Sequence, residues 1–409
     1  MAKRDFFRRI GPGIVTGAAD DDPSGIGTYT SVGAAAGYGF LWSALWLLPL
    51  AFAVQEAAAR LALVTGKGLA ALIKSRLPRG VLVLAVVLVA VANTVNIAAD
   101  LAIMSSALGL IVPVDQWIGV VMFALLLAAT EILIPYHRYA RVLRWLTLSL
   151  LAYVAVLFVA KVDWQQVAFS TIVPQFDFSR TSFALLLALA GTTISPYLFF
   201  WQAAEEMEER KNIRTRRLRL SNLRAMRGDV FTGMFTGVFI MFAIMATSAA
   251  TLNAQGKTQI ETASDAALAL KPIAGEFAGL LFLLGILGVG LLSIPVLAGS
   301  TAYAVAETFG WRESLELKPL QAKAFYAVIV VSMFVALALN LIGIEPVQFL
   351  ILAAILNGLT APILMAIIWW LAKDKNLLGQ WASPMWSKLL LGIATLAMGS
   401  LPIFWLLAR

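Results

Sequence analysis

The sequence contains no cysteine and a single histidine, His137, among its 409 residues. The absence of cysteine excludes disulfide bonds, thiolate metal ligands and cysteine nucleophiles. A lone histidine argues against a metal cage built from several imidazoles and against a histidine-based catalytic triad. We expect His137 to be an ordinary surface residue.

Charge is also scarce, since 13% of the residues are charged and 60% are hydrophobic. A soluble domain of ordinary composition does not have this balance, so the composition predicts an all-α polytopic protein of the lipid bilayer without a separate soluble domain. The net charge of +8 does not indicate a nucleic-acid partner, because the basic residues lie next to apolar stretches. Residues 1–10 carry no separate apolar run and cleavage site, so we interpret them as a cytoplasmic lead-in.

Several apolar stretches have the about 20 residues that a helix needs to cross a bilayer. We predict eleven transmembrane helices, here called spans 1 to 11, at residues 13–33, 40–63, 81–110, 116–135, 144–161, 182–204, 229–252, 275–308, 324–343, 347–372 and 386–407. Span 8 exceeds a straight minimal span, so we expect it to be tilted or to extend into the cytoplasm.

The distribution of Lys and Arg supports this number of spans and indicates their orientation. With the N-terminus in the cytoplasm, most of the 31 basic residues lie in cytoplasmic links. The opposite side has only Lys161, Arg180, Lys257, Lys271 and Arg409. This bias predicts a multi-pass protein of the cell (inner) membrane with its C-terminus outside. The link between residues 205 and 229 is the most basic; we interpret it as an anchor to anionic lipid, with regulation by a lipid or partner as the alternative.

Span 1 is interrupted near its middle by Asp20, Asp21 and Asp22 and by the following Pro23-Ser24-Gly25. Buried charge in a membrane is costly and usually functional. The proline and the glycine break the helix, and broken backbone at this depth needs protein or a water-filled cavity to satisfy it. We therefore predict two half-helices with an ion site at the unwound segment between them.

Span 6 has a similar interruption, where small and polar residues with Pro196 separate two apolar runs. Two interrupted spans five apart are typical of transporters built from inverted repeats, with the site between the breaks. This predicts one transporter domain over residues 1–409, with repeat one at 11–161, repeat two at 182–372 and an extra span at 386–407. A simple structural kink is the alternative for span 6.

Several motifs extend over nearly the whole chain: Gly11-Pro12-Gly13, Asp22-Pro23-Ser24-Gly25, residues 59–67, Ala99-Asp100-Leu101-Ala102 and residues 288–307. In these motifs the chain resembles the NRAMP family of divalent-metal transporters. The resemblance implies a LeuT-like fold of 5+5 inverted repeats with discontinuous spans 1 and 6. It also implies uptake of a divalent metal into the cytoplasm.

The chain departs from the family at the expected metal ligands. Gly25 stands where the family has asparagine, and Ser195 where it has the methionine of Met-Pro-His. A thioether is a soft ligand, whereas Mg²⁺ prefers oxygen ligands and keeps several of its waters. The chain thus resembles the NRAMP-related magnesium transporters. This implies Mg²⁺, and also Mn²⁺, as a largely hydrated transported substrate, and no cofactor.

Three further departures concern protons. Tyr197 and Gln202 stand where the family has span-6 histidines, and Ile103 stands where it has a span-3 glutamate. Because the resemblance links those residues to proton movement, it implies weak or absent proton coupling.

The resemblance and the residues together define a candidate site. We expect the carboxylate of Asp22, free backbone carbonyls at Gly25 and Thr192, and the hydroxyl of Ser195 to bind the metal. An access-path or supporting role is expected for Asp20, Asp21, Asp100, Tyr197, Gln202 and Asn357. For Asn357 and Asn96, hydrogen bonds between helices are the alternative. Glu205 and Glu206 could line the inner mouth or pair with nearby arginines.

Other functions fit parts of the sequence. They are a proton-coupled Mn²⁺/Fe²⁺ transporter that replaces the methionine by other means, a sodium-coupled carrier of organic solutes, a membrane sensor, and a protease with an Asp22–Asp100 dyad. The last two are disfavoured by the lack of a signalling domain and by the Asp-Pro-Ser-Gly context. We therefore predict a transporter and not an enzyme, with no obligatory protein partner and compatible with a monomer.

Overall fold

The computed structural model describes residues 12–134, 148–212, 218–315 and 317–408. This part of the chain contains helices and no β-strand. The α-helices are α1 Pro12–Asp20, α2 Pro23–Ala36, α3 Trp42–Thr65, α4 Leu69–Arg76, α5 Arg79–Gly109, α6 Gln116–Leu133, α7 Leu151–Val159, α8 Trp164–Ile172, α9 Arg180–Thr193, α10 Pro196–Asn212, α11 Leu220–Thr251, α12 Ala263–Ala267, α13 Lys271–Ala274, α14 Ala278–Phe309, α15 Lys323–Leu339, α16 Pro346–Lys373, α17 Lys375–Leu378 and α18 Met385–Leu407. The predicted surface position of His137 lies outside the described residues.

Within the described ranges, nine helical segments are long and apolar enough to cross a bilayer, or ten if one bent pair counts as a single span. Predicted span 1 is not among the nine because its two helices have only 9 and 14 residues. Predicted span 5 is described only from residue 148, and its helix bends by 118° into Trp164–Ile172. The number of eleven spans and the 5+5 repeat therefore stay predictions.

Span 1 is divided at its aspartates, as predicted. Helix α1 ends at Asp20, and α2 begins at Pro23 after Asp22 with φ −63° and ψ 171°. Proline suits the first position of a helix, because its fixed φ is helical and its missing N–H would have no partner there. The side chain of Asp22 caps the new helix by accepting a hydrogen bond from the backbone N–H of Gly25.

Span 6 is also divided into two helices, at Ile194 and Ser195. Helix α9 ends at Thr193, Ile194 leaves the helical region with φ −117° and ψ 63°, and α10 begins at Pro196. Proline removes a backbone donor and disfavours helical backbone in the preceding residue, which explains the break. The two helices nevertheless continue as one apolar segment over Arg180–Arg210.

The link expected between residues 205 and 229 is much shorter in the structure. Helix α10 continues to Asn212 and α11 already begins at Leu220. Hydropathy marks the part of a helix that lies in the bilayer, whereas Glu, Met and Arg are good helix formers and continue the helix into water. Much of the predicted basic link is therefore helical, and residues 213–217 lie outside the described residues.

The broken helices lie inside the bundle. Helix α11 packs along both α1 and α2, and α9 packs against α2 and α16. Close approach between α1 and α11 depends on glycine, because a Cβ atom on Gly17 would lie 2.2 Å from the carbonyl oxygen of Gly233. Small residues are the usual means by which membrane helices approach one another this closely.

Candidate metal site between the broken spans

Asp22 lies in the gap between α1 and α2, with 2% of its surface exposed. Its Oδ1 accepts a hydrogen bond from the backbone N–H of Gly25 at 2.7 Å. The Tyr197 hydroxyl lies 3.4 Å from Oδ2 and also donates to the carbonyl of Ala19 at 2.8 Å. The carboxylate is thus oriented by the start of α2, whose positive dipole end favours negative charge, and by the start of α10.

Gly25 is the point where the two breaks come together. A Cβ atom built on it would lie 3.4 Å from Cγ2 of Thr192 and 3.4 Å from the carbonyl oxygen of Asp20. However, Gly25 lies in the first turn of α2 and not in unwound backbone, because Pro23 starts the helix and Asp22 caps it. The unwound residues are Asp21 and Asp22, about one turn before Gly25. The expected metal contacts of the Gly25 and Thr192 carbonyls stay predictions.

The break in span 6 presents oxygen atoms to the same region. The Ser195 hydroxyl donates to the carbonyl of Thr192 at 2.5 Å and lies 3.0 Å from that of Gly191. A carbonyl oxygen has two lone pairs, and a hydroxyl oxygen that donates its proton can still accept or bind a cation. Thr192 and Ser195 therefore form a joint oxygen cluster, and the side-chain oxygen of Thr192 is buried without a partner among the described residues.

Asp100 on α5 lies beside Asp22. Its Oδ1 accepts a hydrogen bond from the backbone N–H of Ser24 at 3.2 Å, next to the Gly25 N–H that binds Asp22. Its Oδ2 is buried and makes no hydrogen bond in the described part of the chain. Two carboxylates therefore approach consecutive amides at the beginning of α2.

Asp20 and Asp21 are buried as completely as Asp22, with 1% and 2% exposure. Both carboxylate oxygens of Asp20 and Oδ1 of Asp21 have no hydrogen-bond partner among the residues described. The carboxylate of Asp20 faces α11, since a Cβ atom on Gly237 would lie 3.1 Å from its Oδ2. Asp20 and Asp22 thus have different neighbours.

The remaining predicted residues lie around this centre. Gln202 accepts a hydrogen bond from Thr16 at 2.6 Å and donates to Glu206 at 3.1 Å, so it joins α1 to α10. Glu206 forms no ion pair with an arginine that the structure describes. Asn357 and Asn96 bond to each other at 2.9 and 3.3 Å across α16 and α5. This geometry favours the helix-to-helix role for Asn357.

Carboxylates do not enclose an ion in this site. Within the described ranges, no three histidine, aspartate or glutamate side chains converge in a way that could hold a metal. The arrangement offers the carboxylate of Asp22, with Asp100 close by, and neutral oxygens at Thr192 and Ser195. Few charged ligands suit an ion that keeps several waters and must be released again.

A protein-family profile described as "Natural resistance-associated macrophage protein-like" (Nramp) matches residues 13–408. The chain belongs to the Nramp family. The profile covers almost the whole chain and confirms the resemblance found in the sequence motifs.

Relatives agree with this assignment. The chain is 29% identical to "Divalent metal cation transporter MntH" of Pectobacterium carotovorum over 294 residues, which are 70% of this chain and 69% of the relative. It is 26% identical to the protein of the same name from Klebsiella pneumoniae over 95% of this chain and 91% of that protein. The relatives are transporters, which confirms that this Nramp-family chain is not an enzyme.

Solved structures show the same fold. The Eremococcus coleocola manganese transporter superposes with a TM-score of 0.77 at 17% identity, covering 96% of this chain and 85% of that one. Mhp1, a nucleobase-cation-symport-1 family transporter, superposes with a TM-score of 0.59 at 12% identity, covering 97% and 92%. At these identities the likeness shows the fold alone, and it supports the LeuT-like architecture of this Nramp-family chain.

One buried network of charged side chains was not predicted from the sequence. Glu56 on α3 is fully buried, and its Oε1 lies 2.5 Å from Nη2 of Arg60 and 2.8 Å from Nε of Arg227. Its Oε2 accepts a hydrogen bond from Ser387 at 3.1 Å. Glu56 and Arg60 have the i, i+4 spacing of a helical ion pair inside a predicted span, and that signal was available.

Proposed function

We propose that this Nramp-family protein imports divalent metal cations through a mid-membrane site at Asp22, between the broken spans 1 and 6. The observation that carries the proposal is the position of Asp22. Its buried carboxylate is held by Gly25 of α2 and Tyr197 of α10 and has no basic partner among the described residues. A carboxylate in this setting needs a cation or a proton to offset its charge, and a transported metal ion supplies the former.

In this proposal the ion is bound by the carboxylate of Asp22 and by oxygens of Thr192 and Ser195, directly or through water. Gly25 contributes space rather than a ligand, because a side chain there would contact Thr192. Asp100 supports the site from α5 through the amide of Ser24. Tyr197 and Gln202 connect the site to α1.

The choice of metal rests on two different arguments. Ser195 in place of a thioether favours a hard ion, and Mg²⁺ binds preferentially to oxygen while keeping its waters. The names of the relatives, "Divalent metal cation transporter" and "manganese transporter", favour Mn²⁺ at least as strongly. We therefore propose transport of Mn²⁺ with Mg²⁺ as an accepted substrate.

Proton coupling distinguishes the second candidate function, a proton-coupled Mn²⁺/Fe²⁺ transporter. Tyr197 and Gln202 occupy the positions where the resemblance places histidines, which favours weak coupling. Asp20, Asp21 and Asp100 are buried and have oxygens without partners in the described part of the chain, which favours groups that carry protons. Proton influx measured with a pH dye during Mn²⁺ uptake into liposomes decides between the two.

We further propose that the protein lies in the cell (inner) membrane with a cytoplasmic N-terminus and an external C-terminus. The bias of basic residues toward one set of links supports this orientation. The ion and the lipid bilayer are the partners that the proposal requires.

The direct test is uptake of Mn²⁺ and of Mg²⁺ into proteoliposomes by the wild type and by Asp22→Ala. We expect Asp22→Ala to abolish uptake of both ions. Asp115→Ala is the matched control, because Asp115 is an exposed aspartate that caps α6, and it should transport normally. Unchanged uptake by Asp22→Ala would refute the site, and Mn²⁺ uptake without Mg²⁺ uptake would refute the broader substrate range.

A further inference from the structure

Asp20 faces a different neighbour from Asp22. Its Oδ2 lies against Gly237 of α11, and neither carboxylate oxygen has a hydrogen-bond partner among the described residues. Its side chain is 1% exposed. Leaving a carboxylate unpaired in an apolar interior costs several kcal/mol or more, so a compensating cation or proton is required.

A methionine of α11 lies one helical turn after Gly237. Met241 is four residues after Gly237, so the two positions share one face of α11. Its side chain is fully buried, and its Sδ accepts a hydrogen bond from the Thr193 hydroxyl at 3.2 Å. Thr193 is the last residue of α9, which brings the thioether to the break in span 6.

A third group points to the same region. Tyr29 on α2 is fully buried, and its hydroxyl has no hydrogen-bond partner within ordinary distance among the residues described. It lies beside Thr193 and within electrostatic range of Asp20. This unpartnered hydroxyl is not part of the acidic cluster, so it is a separate indication of a ligand between Asp20 and Met241.

We propose that Asp20 and Met241 form a second divalent-metal position between spans 1, 6 and 7, with the hydroxyls of Tyr29 and Thr193 as additional oxygen ligands. The position is distinct from the Asp22 site and does not depend on it. A carboxylate together with a thioether forms a softer donor set than the oxygens around Asp22. It selects soft and borderline ions such as Cd²⁺ and Fe²⁺ over Mg²⁺.

Two features of the fold support a cation at this point. Asp20 is the last residue of α1, and the C-terminal end of a helix attracts positive charge. The thioether that is missing at Ser195 of span 6 is supplied here from span 7. A chain with an oxygen site at Asp22 can thereby still bind a soft metal.

The experiment measures Cd²⁺ binding to the purified full-length protein in detergent by isothermal titration calorimetry. We expect the wild type to bind two Cd²⁺ ions. Met241→Leu keeps the size of the side chain, and Asp20→Asn keeps its shape; each should reduce the number to one. Met234→Leu, another buried methionine of α11, is the matched control and should keep two.

The same titration separates this position from the Asp22 site. Asp22→Asn should leave one bound Cd²⁺. The double variant Asp22→Asn/Met241→Leu should bind no Cd²⁺. If Asp22→Asn keeps two ions while Met241→Leu keeps one, the Asp22 assignment fails and the second position stands. A wild type that binds one ion, or a Met241→Leu variant that binds two, overturns the proposal.

X-ray absorption at the cadmium edge gives an independent readout. The chain has no cysteine, so a sulfur ligand in the protein must come from methionine. We expect a sulfur neighbour of cadmium in the wild type and in Met234→Leu, and none in Met241→Leu. An all-oxygen environment in the wild type would overturn the proposal.

Discussion

The hydroxyl of Tyr197 lies between the two broken spans, 3.4 Å from Oδ2 of Asp22 and 2.8 Å from the carbonyl oxygen of Ala19. One side chain of α10 thus contacts both the proposed metal ligand and the last turn of α1. Together with the Gly25 N–H, this hydroxyl lies against the carboxylate at the break in span 1.

Replacing Tyr197 by Phe should weaken metal binding while leaving the fold intact. The ring stays, but the hydroxyl that orients Asp22 is lost, at a cost of about 1 kcal/mol or roughly fivefold in affinity. The KM for Mn²⁺ uptake in proteoliposomes measures the effect. Tyr153→Phe, a buried tyrosine of α7, serves as control, and an equal change in both variants would contradict the role of Tyr197.

Gly25→Ala tests the space between the breaks. The added Cβ would lie 3.2 Å from Cε2 of Tyr29 and 3.4 Å from Thr192, contacts that the neighbours can accommodate by small shifts. We expect Mg²⁺ uptake to fall more than Mn²⁺ uptake, because Mg²⁺ keeps more of its water and needs more room. Gly80→Ala, with nothing within 4 Å of the new atom, should change neither rate.

Glu56→Gln should strongly destabilise the protein. The change leaves the buried Arg60 without its charge partner and removes the ion pair to Arg227, and breaking a buried pair typically costs about 3–5 kcal/mol. A thermal unfolding scan in detergent should show a clearly lower midpoint. Glu345→Gln, at an exposed position before α16, should unfold like the wild type, and a similar midpoint for Glu56→Gln would contradict the proposed network.

A double-mutant cycle on Asn96 and Asn357 tests whether their contact is structural. The two amides bond to each other, and such pairs in membrane proteins contribute about 0.6 kcal/mol on average. We expect Asn96→Ala and Asn357→Ala to show a coupling of that size in unfolding free energy and to leave the KM for Mn²⁺ unchanged. A raised KM in Asn357→Ala alone would instead assign Asn357 to the metal site.

The sequence was informative wherever the cause of the structure is local. Pro23 and Pro196 remove backbone donors, so both breaks could be predicted from neighbouring residues. The end of α10 at Asn212 could not, because hydropathy does not report helix that continues into water. Gly25 lies in the first turn of α2 and not in the unwound segment, because the side chain of Asp22 caps this helix. Composition does not reveal such a side-chain hydrogen bond.

The surroundings of the site depend on contacts distant in sequence. Thr193 and Met241 are 48 residues apart, and the hydroxyl meets the sulfur because α9 and α11 both pack against α2. The contact of Asp20 with Gly237 likewise arises from the close approach of α1 and α11. A methionine in a predicted span is ordinarily a core residue, so nothing in the sequence distinguished Met241 from the others.

The glycine contact between α1 and α11 limits how the protein can change access. Gly17 lies against the backbone of Gly233, and the N–H of Gly13 donates to Oδ2 of Asp229 at 2.5 Å, so the half-helix is attached to α11 along its length. A tilt of α1 alone would separate two backbones that have no side chains to fill the gap. We therefore expect the two helices to move together when the protein changes the side from which the site is open.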